Sequence, residues 1–186
     1  GRTALMDEYK ARYAQRTELR TLAEVIDGAD VFLGLSAGGV LKPDMVARMA
    51  ARPVILALAN PNPEILPEDV KAVRDDAVIA TGRTDYPNQV NNVLCFPFVF
   101  RGTLDVGATT ITREMEIAAV NAVAELARAE MSDIVATAYG APNMAFGPEY
   151  LIPKPFDPRL IVKIAPAVAK AAMDSGVATR PITDFD

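Results

Sequence analysis

Val31-Phe32-Leu33-Gly34-Leu35-Ser36 is an unbroken apolar run, and two more of the same kind follow it. These are Pro53-Val54-Ile55-Leu56-Ala57-Leu58-Ala59 and Ala77-Val78-Ile79-Ala80-Thr81-Gly82. Runs that are apolar throughout, rather than alternating, belong to parallel strands covered on both faces. Short amphipathic helices are expected between them. Thr21 is placed to cap a helix at 22–26, and Pro43 and Pro67 take first helical positions before 44–49 and 68–73. Helix alternating with strand is the repeat of a doubly wound α/β sheet.

Downstream of Gly82 the pattern becomes helical. An apolar stretch occupies 92–102, and Thr112 opens an amphipathic helix running to about residue 129. A Pro- and Gly-rich link at 140–158 leads to an Ala-rich helix at 159–175, which Pro166 is expected to bend or divide. Two segments follow from this reading, a sheet segment at 1–93 and a helical segment at 94–186 that packs on it and closes the site. In the common dinucleotide-binding order the first βαβ unit carries a G-x-G-x-x-G loop. Gly34-Leu35-Ser36-Ala37-Gly38-Gly39 does not match that spacing, and no other stretch does. The expected fold class is therefore the second half of a Rossmann-type doubly wound parallel sheet followed by C-terminal helices, with the first half lying upstream. Strand 31–36 would then be the fourth strand, and without the first beside it would present an apolar, aggregation-prone edge.

Composition narrows the chemistry. The 186 residues are 51% hydrophobic with 6% aromatics and no Trp, which calls for an aliphatic core. A net charge of −5, with 19 Lys and Arg interspersed among 24 Asp and Glu, offers no basic stripe for nucleic acid. No uncharged apolar run approaches the roughly 18 residues of a membrane span. Gly1-Arg2-Thr3 shows no basic-then-apolar signal pattern. Cys95 is the single cysteine and His is absent, which fits a reducing, cytoplasmic setting and excludes zinc sites, Ser-His-Asp triads and Cys-His pairs within the chain.

Ligands of open α/β sheets sit outside the carboxyl ends of the strands. Those ends read Ser36-Ala37-Gly38-Gly39, Asn60-Pro61-Asn62-Pro63 and Gly82-Arg83-Thr84-Asp85-Tyr86-Pro87. The two glycines serve either backbone geometry alone or close approach to a ligand. Asparagines are dense here: Asn60, Asn62, Asn88, Asn91 and Asn92. A neutral amide can bind a carboxylate, a ribose hydroxyl or a carboxamide, and Asn91-Asn92 also suits a helix cap. Both roles stay open. Asp75-Asp76 reads as a solvated turn, Asp85 and Asp105 have no metal-ligand spacing, and Tyr86 and Cys95 read as packed residues.

At these loops the sequence resembles the malic enzymes. The matching segments are Ala29-Asp30-Val31-Phe32-Leu33-Gly34-Leu35-Ser36, Leu58-Ala59-Asn60-Pro61 and Gln89-Val90-Asn91-Asn92-Val93. Phe96-Pro97 and Arg101-Gly102-Thr103-Leu104-Asp105-Val106-Gly107-Ala108 resemble the large bacterial type, most of which use NADP and carry a phosphotransacetylase-like domain after the malic enzyme part. Arg180-Pro181-Ile182-Thr183 resembles the junction before that domain. The resemblance implies oxidative decarboxylation of malate to pyruvate with NADP or NAD and Mg or Mn, in a homo-oligomer. It implies cofactor contacts at Ser36, Ala37, Gly38 and Asn60, and substrate contacts at Asn60, Asn91 and Asn92. The family's Tyr and Lys proton-transfer residues, its metal ligands and its Gly-rich loop have no counterpart here, so no catalytic or metal residue is assigned and the isolated chain is expected to run no reaction. Rival readings are another Rossmann dehydrogenase, such as one acting on amino acids, or a non-catalytic regulatory or assembly module.

Overall fold

The structure, a computed structural model, describes residues 4–131, 133–140 and 144–184; Gly1-Arg2-Thr3 and part of the link at 140–158 lie outside the described residues. Three strands, β1 (Val31–Gly34), β2 (Val54–Ala57) and β3 (Val78–Thr81), form one parallel sheet in the order β1-β2-β3. Val31 pairs with Val54 and Val54 with Val78, and each strand is shorter than its apolar run. Helices α1 (Glu8–Tyr13) and α2 (Leu22–Val25) precede β1, and α3 (Pro43–Ala47) and α4 (Pro67–Lys71) make the two crossovers. Pro43 and Pro67 do start their helices. Thr21 opens α2, its N–H and hydroxyl both donating to Glu24 at 2.7 and 2.9 Å. Helix α1 was not foreseen; it buries nothing and is held at its start by the Asp7 cap on the Lys10 amide.

Sequential right-handed crossovers that step in one direction place their helices on one side of the sheet. Here that side carries Phe32, Ile55 and Ala57, which pack with Ile26, Leu41, Val46, Met49, Ile65 and Val70. The opposite side is open at β1 and covered at β3, where Ala80 is buried. Val31 and Leu33 of β1 are 56% and 58% exposed, and Leu35 beyond it is 74% exposed. The expectation of a sheet covered on both faces is corrected at β1, where burial alternates although the sequence does not. The free edge of β1 is also present, because Asp30 and Gly34 turn their carbonyls to β2 and the intervening Val31 and Leu33 amides point away.

Arg74 locks the end of this sheet unit remote from the strand carboxyl termini. Its guanidinium donates to the carbonyls of Val46, Met49 and Ala50 and pairs with Asp76 at 2.6 Å. That side-chain bond, with a second from the Arg52 amide, holds the Asp76 carboxyl well below the usual carboxylate range. The Asp75-Asp76 turn is therefore braced at Asp76 rather than merely solvated.

A second core is helical. The apolar stretch becomes a 3-10 turn (Asn92–Leu94) and α5 (Phe96–Asp105), followed by α6 (Arg113–Arg128), α7 (Asp133–Tyr139) and α8 (Arg159–Asp174). Thr112 caps α6 through the Met115 amide. Leu126, Leu160, Ile164, Val168 and Met115 form its centre. Gly102 lets α5 approach α8, since a Cβ there would collide with the Ala165 carbonyl and lie 2.9 Å from the Val168 Cβ. Pro166 does not divide α8, which runs on through it. The hydrogen bond that Pro166 cannot make would end on the carbonyl of Val162, and Val162 is exposed, so water can serve it. Helix α7 sits in a region the sequence left unassigned. No described helix is long and apolar enough to cross a membrane.

Candidate functional site

Parallel strands put all three carboxyl ends at one side of the unit, where their loops meet. The β1 and β2 loops are stitched together. Gly39 N–H donates to the Pro63 carbonyl and Leu41 N–H to the Glu64 carbonyl, both at 3.1 Å. A Cβ on Gly38 would sit 2.8 Å from the Asn62 Cβ, and Gly39 has φ +73°, so both glycines are required by the backbone path. Glu64 is fully buried beneath these loops. Its Oε1 accepts from the Ser36 amide at 2.8 Å and its Oε2 from the Ala59 amide at 3.0 Å. Sequence reasoning passed over Glu64. The signal was Gly34, a lone glycine inside an apolar strand, which marks close approach: a Cβ there would overlap the Glu64 carboxyl group.

Several polar groups at this end of the sheet have no intramolecular use. The amides of Ala37 and Gly38 donate to no described residue. The side chains of Asn60 and Asn62 are exposed and bond to no described residue, and the Asn60-Pro61 peptide is cis. The third loop returns beside β3, where Val90 N–H donates to the Thr81 carbonyl at 2.8 Å. That places Asn91 and Asn92 at the same end but on the far side of β3, three strand spacings or about 14 Å from the β1 loop. The two asparagines divide the open roles. Asn91 caps the 3-10 turn, its Oδ1 accepting from Val93 N–H at 3.0 Å, while exposed Asn92 caps nothing. Asn88 is neither: buried at φ +56°, it ties Ile79, Pro148 and Leu151 together through its amide.

The structure thus joins Ser36, Ala37, Gly38 and Asn60 in one braced loop pair and sets Asn91 and Asn92 at the same end of the sheet, beyond β3. Asn92 also borders an apolar cleft of about 400 Å³ lined by Cys95, Phe96, Val99, Phe100, Ile111 and Glu116. Burial, with Glu116 nearby, pushes the Cys95 thiol up, so it is a poor nucleophile at neutral pH. Tyr86 donates to Glu68 at 2.8 Å, and Asp85 and Asp105 pair with Arg83 and Arg101. Among the described residues no group of three or more acidic or sulfur ligands is placed to hold a metal ion.

The sequence profile of the family described as malic enzyme, NAD binding domain, matches residues 3–137. This chain belongs to the malic enzyme family. It is 70% identical over its full length to the NADP-dependent malic enzyme of Salmonella typhimurium and 67% identical to the NAD-dependent malic enzyme of Rhizobium meliloti. It spans about a quarter of each, 25% and 24% of their lengths. Among solved structures, the malic enzyme of Entamoeba histolytica superposes with a TM-score of 0.75 at 35% identity, covering 90% of this chain and 32% of that one. The malic enzyme of Pyrococcus horikoshii gives 0.71 at 41% identity, covering 87% and 34%. The α/β sheet is accordingly the Rossmann-type sheet of malic enzymes, and the reading as a fragment of an amino-acid dehydrogenase is set aside.

Proposed function

We propose that this chain is the second half of the NAD(P)-binding domain of a malic enzyme that oxidises malate with NADP or NAD and releases pyruvate and CO2. The carrying observation is the set of polar groups without a partner among the described residues where the three parallel strands end: the amides of Ala37 and Gly38 and the side chains of Asn60 and Asn92. Backbone N–H groups and neutral amides suit a dinucleotide and a small dicarboxylate, because they donate without adding charge. When bound, the dinucleotide supplies the hydride acceptor. Ser36, Ala37 and Gly38 line its path and Asn60 holds the nicotinamide end beside the substrate. Asn91 and Asn92 orient malate, Asn91 through the amide nitrogen left over from its cap. Holding both reactants at reacting distance is what such amides contribute. A divalent cation and the proton-transfer groups are assigned to the remainder of the full-length enzyme.

The division into a sheet segment at 1–93 and a helical segment at 94–186 that closes the site belongs to the same reading. So do a homo-oligomeric state and a cytoplasmic setting, the latter supported by a single, unpaired, half-buried cysteine. The test is steady-state kinetics of Asn60→Ala and Asn92→Ala in the full-length enzyme, beside thermal melts. Each should lose about 1–3 kcal/mol of transition-state stabilisation, read from kcat/KM, with little change in Tm. Unchanged kcat/KM in both would overturn the assignment.

A further inference from the structure

A carboxylate buried in a core without a cation beside it is costly unless every lone pair it hides is used. Glu64 is 0% exposed and forms no ion pair with a described residue. What it has instead is two backbone N–H donors from two different loops, Ser36 after β1 and Ala59 after β2, one on each oxygen. The Ser36 hydroxyl adds a long contact at 3.5 Å. Glu64 does not cap a helix, because α4 begins at Pro67. An aliphatic residue would fill the same space without desolvating a charge. What it could not do is tie both strand ends to one rigid group.

We propose that Glu64 is a positioning residue: its carboxylate, gripping the Ser36 and Ala59 amides at once, sets the β1 and β2 loops in the relative placement that a dinucleotide bridges. This rests on the reading of those loops as nucleotide contacts. Neither loop can shift alone without breaking a charge-assisted bond, and such bonds are short and strong. The same two loops also meet through the backbone, in the pairs Gly39 with Pro63 and Leu41 with Glu64. Ala59 immediately precedes Asn60, so the grip on its amide fixes the start of the segment that carries the nicotinamide-side side chain. Gly34 belongs to the same device. It is held to glycine by the space that the carboxyl group occupies, since its backbone conformation is ordinary.

The test uses the full-length enzyme. Glu64→Gln retains one acceptor oxygen but turns an NH2 group against an N–H donor of the other loop. The KM for NADP should rise roughly tenfold or more, with a smaller fall in kcat at saturating NADP. Hydrogen exchange at Ser36 or Ala59 should accelerate by a comparable factor. Gly34→Ala pushes on the same carboxyl group from the strand side and should give the same split. Combined, the two should be no worse than the more damaging single change, because both break one contact. If Glu64→Gln does not fold, Gly34→Ala carries the test alone. Adding NADP or NAD, whichever the wild-type enzyme turns over, should itself slow exchange at Ala37 and Gly38. If it does not, the nucleotide-facing reading of the loops fails whatever Glu64 does. If it does, an unchanged KM for NADP in Glu64→Gln or Gly34→Ala overturns the positioning role alone.

Discussion

Ile164 and Val168 on α8 are fully buried, whereas Val31 and Leu33 on β1 stand more than half exposed, although all four are aliphatic residues in regular structure. The helical unit encloses its centre with α5, α6 and α8, brought close by Gly102. It has an apolar exterior too, at Phe96, Phe100 and Leu104, but this lies outside a finished core. The sheet unit is finished on one face, while its other face is open on the β1 side. That open part and the β1 edge are aliphatic surface of the kind that parallel sheets bury. Sheet strands carry their pairing needs outward to the next strand, and helices satisfy theirs internally, so a half-built sheet shows its incompleteness where a helical unit does not.

The largest effect should come at the entrance to α8, where the helical unit depends on one ion pair. Asp157 is buried and pairs with Arg159 at 2.6 Å. Arg159→Met should destabilise the chain by about 3–5 kcal/mol in denaturant titration, because it leaves a buried carboxylate uncompensated. A loss below 1 kcal/mol would mean that the helical unit is not closed as described.

Next come the two faces of the sheet. Ile55→Ala, on the covered face, should cost about 2–5 kcal/mol both in the 186-residue chain and in the full-length enzyme. Leu33→Ala, on the open face, should cost within about 0.5 kcal/mol in the chain alone. In the full-length enzyme it should cost as much as Ile55→Ala if the remaining sequence covers that face. Equal costs at Leu33 in both proteins would break the comparison.

The smallest effect has the opposite sign. Tyr150 is buried and its hydroxyl finds no partner among the described residues. Burial, with Asp157 nearby, pushes the phenol up, so it is neutral at any working pH. Tyr150→Phe should stabilise the helical unit by about 1 kcal/mol, by removing a desolvated group. A lower Tm would show that the hydroxyl is satisfied in solution.

Much of this was legible in the residues. Apolar runs located all three strands, and the prolines at 43 and 67 located both crossover helices, because these signals are local. The strand-end loops and their asparagines were legible as a set gathered at one end of the sheet for the same reason. Three things were not. The alternating burial of β1 depends on which side the crossovers take, and nothing in Val31-Phe32-Leu33-Gly34 records that. The role of Glu64 depends on amides of two different loops, one of them, Ser36, 28 positions away. The split between Asn91 as cap and Asn92 as free amide turns on which way two adjacent identical side chains face at a 3-10 turn.

The account stands most directly on the β1 edge, and amide hydrogen exchange at Val31 and Leu33 measures it. In the isolated 186-residue chain, kept dilute and monomeric, these two amides should exchange rapidly while those of Ile55 and Val168 stay slow. In the full-length enzyme Val31 and Leu33 should become as slow as Ile55, because a neighbouring strand then takes their N–H groups. Strong protection of Val31 and Leu33 in the isolated monomer would contradict the account, since the edge would then be covered from within this chain.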